Sequence, residues 1–142
     1  MLNMRTKRLL FVAFTCLVIS GCSTLLVAKD DRYATPEKTW ETYREAIFNG
    51  DTEAALDCFA EYARDRERRR LFDRVVGIKG MQKRIKPIIK IELANSGVSD
   101  QHGLHLPVEY RVYGVITERG ASDRTIFFVK IGDDWKIESL PF

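Results

Sequence analysis

Apolar residues along this chain change their spacing once, from a helical period before Gly77 and Gly80 to alternation after them. Trp40, Tyr43 and Ile47 recur at steps of three and four, so they fall on one face of a helix. Thr35-Pro36-Glu37 supplies its start: a side-chain cap, a proline suited to the first helical position, and an acid at the positive end of the dipole. Asn49-Gly50 stops it, because glycine accepts the left-handed conformation, and Asp51 can cap a second helix in which Ala55, Leu56, Phe59 and Tyr62 continue the period. The expectation is a helix hairpin with an aromatic inner face. A third helix is expected through Arg64 to Arg70, with Leu71, Phe72, Val75 and Val76 as its buried edge.

Beyond Gly80 the pattern predicts sheet. Ile89, Ile91 and Leu93 alternate with Lys90 and Glu92. Leu104, Leu106, Val108, Tyr110 and Val112, expected to face inward, alternate with His105, Pro107, Glu109, Arg111 and Tyr113. Pro107 points to an edge or a bulge. Thr125 to Ile131 is apolar on both faces apart from Lys130, and Ile126 and Phe128 are expected on the outer side, where helices, another strand or a second copy must cover them. That motivates a homodimer. Gly132-Asp133-Asp134 predicts a turn into Trp135-Lys136-Ile137.

The sequence of a helix hairpin carrying Pro36-Glu37, Trp40, Tyr43 and Asn49-Gly50-Asp51, then a third helix, then strands closing on Gly132-Asp133-Asp134-Trp135-Lys136-Ile137, resembles the nuclear-transport-factor-two-like superfamily. Ketosteroid isomerases and SnoaL-like proteins share that fold. The resemblance spans residues 35–142 and implies an α+β domain in which a curved antiparallel sheet wraps the first helix as a cone, open to a pocket at its wide end. Trp40, Tyr43, Tyr110 and Trp135 are the candidate pocket residues. A fold does not by itself imply a function.

The N-terminus has a different character. Arg5, Lys7 and Arg8 precede the apolar run Leu9 to Ile19, the arrangement of a signal peptide. Ile19-Ser20-Gly21-Cys22 resembles the lipobox of bacterial lipoproteins, which implies cleavage after residue 21 and a lipid on Cys22. The competing reading is an uncleaved transmembrane helix, since no charge occurs from Leu9 to Ala28, although Ser20 to Thr24 weaken such a span. Both readings put residues after Lys29 outside the cytoplasm, because the basic flank stays inside. Asp directly after the lipidated cysteine resembles an inner-membrane retention signal; here that residue is Ser23, so the expected place is the periplasmic face of an outer membrane. The inner membrane, or the outer face of a single membrane, is the alternative.

Removing residues 1–21 leaves 121 of the 142 residues, enough for one domain and one core. It also removes three of the 23 basic residues and none of the 20 acidic ones, so the remainder is neutral and offers no global electrostatic case for nucleic acid. The charge is local instead: residues 61–90 hold 11 basic and four acidic side chains. Arg64, Arg66, Arg68, Arg69 and Arg70 form a candidate basic patch for anionic headgroups or an acidic partner. The alternative is a solvated helix face, with Asp65 before Arg69 and Glu67 before Arg70 at favourable spacings.

Little else carries chemistry. With Cys16 in the signal and Cys22 lipidated, Cys58 is the one thiol left and is expected in the core. His102, His105 and Glu109 are the best metal candidates but do not make a site, since His102 sits in an expected loop; neither metal nor cofactor is expected. An isomerase of this fold needs a desolvated base, and Asp57 is the least implausible one. The expected function is therefore a membrane-tethered, non-enzymatic domain binding an apolar small molecule, an envelope component or a protein partner. A SnoaL-like isomerase, dehydratase or hydrolase is the alternative.

Overall fold

A computed structural model of the protein describes residues 30–100 and 107–142. The expected signal peptide, Cys22, His102, Leu104, His105 and Leu106 lie outside the described residues. Helix α1, Pro36–Asn49, begins where Thr35 accepts a hydrogen bond from the Lys38 amide at 3.2 Å and ends at Gly50, whose φ of 75° lets its N–H reach the carbonyls of Ala46 and Ile47. Asp51 accepts from the Ala54 amide at 3.0 Å and opens α2, Thr52–Asp57. These starts and stops are the ones the sequence predicts.

Helix α2 is shorter than its apolar period suggests, because the next residues serve the sheet. Ile137 donates its N–H to the Cys58 carbonyl at 2.8 Å, and the Ala60 N–H returns to the Ile137 carbonyl at 2.9 Å. Residues 58–60 thus cover the edge of the last strand, whose backbone groups would otherwise lack partners. Phe59 is buried there, outside any helix, and Tyr62 belongs to α3, Glu61–Leu71, with its ring exposed. The Trp135 N–H finds the carbonyl of Tyr33 at 2.8 Å, so the packed body reaches back to Tyr33, which joins the core.

The expected buried edge after α3 is half wrong. Leu71 is buried, but Phe72 is exposed and Val75 is 92% exposed. The Asp73 carboxylate accepts from the amides of Val75 and Val76 at 2.7 and 2.9 Å, a local turn that breaks the helix and lifts Val75 away from the core. A fourth helix, α4, Gly77–Ile85, then stands where the sequence suggested the change to sheet. Met81 and Ile85 are four apart and buried, and Ile78 packs partly beside them. The two glycines disguised this helical period.

Four antiparallel strands follow in simple order: β1 Ile88–Ser99, β2 Val108–Thr117, β3 Gly120–Ile131 and β4 Asp134–Ser139. The expected α+β class holds, with four helices among the described residues. The phase of β2 and β3 is opposite to expectation, whereas Trp135 of β4 is buried as expected. Arg111 pairs with Phe128, Tyr113 with Ile126 and Phe128 with Ile137, and residues directly opposite share a face. Ile126, Phe128 and Ile137 are fully buried in the core with the helices; Tyr110 pairs with Val129 and Val112 with Phe127 on the other side, where Val129 is also fully buried and Tyr110 packs partly against the core. Phe127, expected inside, is 36% exposed, and Ile126 and Phe128, expected outside, are completely enclosed. A single-residue change of phase exchanges the two faces. In β1, Ile88 is buried but Ile89 and Leu93 are exposed, with register shifts on both sides of the Lys90–Leu93 run.

Candidate functional site

Three of the four expected pocket residues, Trp40, Tyr43 and Trp135, are enclosed in the hydrophobic core. Trp40 and Tyr43 lie 5.8 Å apart between ring centroids, and Tyr43 meets Phe59 edge-on at 5.5 Å. Trp40, Tyr43 and Trp135 are each at most 3% exposed. Trp135 has the Arg111 guanidinium 4.4 Å and the Lys130 ammonium 5.9 Å from its ring centroid, a cation–π arrangement. Glu109 holds both cations, at 3.3 and 3.5 Å. Tyr110 is on the opposite face of the sheet. It lies over Gly97, where an added Cβ would come within 2.8 Å of its hydroxyl. A shallow concavity of about 590 Å³ opens on that outer face between Val98, Tyr110, Val112 and Phe127.

The sequence missed a buried carboxyl. Ala63, Glu67 and Leu71 are spaced four apart on the inner face of α3, so the only acid of that stripe is carried into the core, 1% exposed. Tyr43 donates its hydroxyl to Glu67 Oε1 at 2.9 Å, and Arg70 approaches Oε2 at 3.6 Å. Burial pushes the Glu67 carboxyl above its usual range, against the opposing pull of Tyr43 and Arg70. Burial, with the Glu67 charge adding to it, also holds the Tyr43 hydroxyl well above its ordinary value. The signal was the spacing, two apolar residues flanking an acid at i−4 and i+4.

Asp57 is not a desolvated base. It is exposed and pairs with Arg64 at 3.5 Å. Cys58 is fully buried as expected, its thiol 3.4 Å from the Ala54 carbonyl and pushed up to about 12 by burial, which keeps it protonated and unreactive.

The arginine helix divides. Arg64 is paired to Asp57, Arg66 donates to the Glu138 carbonyl and Arg70 serves Glu67, so these three brace the fold. Arg68 and Arg69 are exposed. A second basic cluster, which the sequence reading did not single out, lies between α1 and α4. Lys79, Gln82, Lys83 and Lys86 follow the i, i+3, i+4, i+7 spacing of one helix face, and they confront Arg44 and Phe48 of α1 across an open groove of about 670 Å³. The Gln82 amide donates to the Ile47 carbonyl at 2.9 Å, which fixes the two helices together. Phe48 is 44% exposed and gives the groove an apolar wall. No acidic side chain lines it among the described residues. Arg44 Nε is buried without a hydrogen-bond partner, and the four cations have no ion pair among the described residues.

Among the described residues no group of three metal-ligating side chains is assembled, and no helix is long and apolar enough to cross a membrane. Glu109, the one described member of the metal candidates His102, His105 and Glu109, is engaged by Arg111 and Lys130. Comparison with protein-family models and with curated proteins gives no match to this chain.

Proposed function

We propose that the chain is an envelope lipoprotein, held through lipid on Cys22 at the periplasmic face of an outer membrane, whose nuclear-transport-factor-two-like domain binds rather than transforms. The observation that supports the non-enzymatic reading is that Trp40, Tyr43 and Trp135, expected to line a pocket, are each at most 3% exposed and leave no open space at their own side chains. Binding then falls to the surface, with an envelope component or a protein partner favoured over an enclosed apolar small molecule. Four antiparallel strands packed on a capped helix hairpin support the superfamily reading. Two acyl chains hold a bilayer firmly where one does not, so a diacylated Cys22 keeps the domain close to the membrane.

Cys22→Ser is expected to abolish lipid labelling and cleavage and to leave a larger precursor in the inner membrane. Unchanged mobility and fractionation would replace the lipoprotein with an uncleaved transmembrane anchor. Crosslinking in intact cells, combined with extraction of bound envelope lipids, should recover a component; recovering neither would sink the binding reading. A homodimer cannot use Ile126 and Phe128, which the core encloses. Sedimentation of the whole protein checks pairing through another surface.

One observation favours the isomerase or dehydratase reading. Glu67 beside Tyr43 is the desolvated acid such chemistry needs. It is sealed, at 1% and 0% exposure, so turnover requires the core to open. Loss of a measured isomerase activity in Glu67→Gln would establish this reading in place of the binding one.

A further inference from the structure

We propose that the groove between α1 and α4 binds a phosphate-bearing amphiphile, its phosphate held by Arg44, Lys79, Lys83 and Lys86 and its apolar part laid against Phe48. This deepens the binding reading above and rests on it, but it does not depend on the tether. Three of the arginines of α3 have structural work. Arg64 and Arg70 neutralise carboxylates and Arg66 caps a carbonyl, whereas the four groove cations face one another with no carboxylate among the described lining residues.

Like charges gathered around a concavity raise the local positive potential and favour entry of an anion. Arg44 presents a planar donor fork, and the three lysines are point charges on flexible stems, a combination suited to the several acceptor oxygens of a phosphate. The groove is also more than a charged patch. Phe48 is exposed within it, and Gln82, rather than facing a ligand, is spent on the α1 carbonyls and so holds the two walls at a fixed separation. A purely inorganic anion would leave the Phe48 ring unused; a purely apolar ligand would leave four cations uncompensated. An amphiphile uses both, and the chemistry is shared by a phospholipid headgroup and by a soluble phosphate ester with an alkyl chain.

The test uses the full chain reconstituted in phosphatidylcholine nanodiscs, with amide chemical shifts of residues 44–48 and 79–86 as the readout. Octyl phosphate is expected to shift these residues and to bind about tenfold more tightly than inorganic phosphate, a difference that Phe48→Ser removes. Lys79→Glu combined with Lys83→Glu should weaken octyl phosphate by about tenfold or more, while Arg68→Glu combined with Arg69→Glu leaves it within about twofold. Raising the salt should weaken binding in the parent and have little further effect in the groove variant.

Repeating the titration in nanodiscs containing phosphatidylglycerol distinguishes the sources. Groove shifts without added ligand identify the lipid headgroup; shifts that still need octyl phosphate identify a soluble ester. The proposal is overturned if no phosphate compound shifts the groove, if both charge reversals weaken binding equally, or if an octa-aspartate peptide binds there while octyl phosphate does not. That last result would assign the groove to an acidic protein and leave the broader binding reading standing.

Discussion

The arginines of α3 and the lysines of α4 carry the same charge on consecutive helices, yet the fold uses them differently. Three of the five arginines between Arg64 and Arg70 are drawn into the structure, where Asp57, Glu67 and the Glu138 carbonyl hold them. Lys79, Lys83 and Lys86 keep their ammonium groups in a groove with Arg44 and meet no acid among the described residues. A run of positive charge in a sequence is therefore a poor guide to a binding surface until its counter-charges have been placed. The denser run turns out to be largely structural, and the sparser one, spread over a helix face, is the more available for a ligand.

The contrast predicts that α3 matters to stability and the groove does not. The largest effect belongs to Glu67→Ala, which strands the Tyr43 hydroxyl in the core, frees Arg70 and opens a cavity. A loss of about 2–4 kcal/mol is expected in urea unfolding. A loss under about 1 kcal/mol would mean that α3 is held by its alanine and leucine alone.

Glu67→Gln sharpens the same point through pH. Burial raises the folded-state pKa of Glu67, so folding binds a proton that the unfolded chain releases between the unfolded and folded values. The stability that depends on the protonated form is fully present below the unfolded value, about 4.3, and is lost as pH rises through the folded value. Gln cannot ionise and keeps an acceptor for Tyr43. The variant is thus expected to equal the parent below about pH 4 and to become progressively the more stable protein above it. A difference that is constant with pH would remove the buried-carboxyl account.

The smallest effects lie at the surface. Arg64→Ala breaks a pair whose members are 36% and 61% exposed and should cost less than about 1 kcal/mol. Lys79→Ser with Lys83→Ser should change stability by no more than about 0.5 kcal/mol, with any shift towards greater stability because like charges are separated. A destabilisation above about 1 kcal/mol from the lysine pair would erase the distinction between the helices and mark the groove as structural.

The sequence by itself determined the local punctuation of this protein. Thr35 and Asp51 act as caps, Gly50 takes the left-handed stop, and Gly132 with a φ of 62° turns β3 into β4. Each depends on interactions within a few residues, so the information is local. Tertiary structure decided what depends on partners far along the chain. Thr125 to Ile131 is apolar on both sides, so alternation carried no phase, and only packing under the helices selected Ile126 and Phe128 for the core. The need of the β4 edge for backbone partners cut α2 short and moved Phe59 out of it. Glu67 went inside because Ala63 and Leu71 on its stripe had to, and the groove exists because Gln82 holds α4 against the end of α1. A cap needs neighbours three or four residues away, whereas a face, an edge or a groove exists only when distant segments meet.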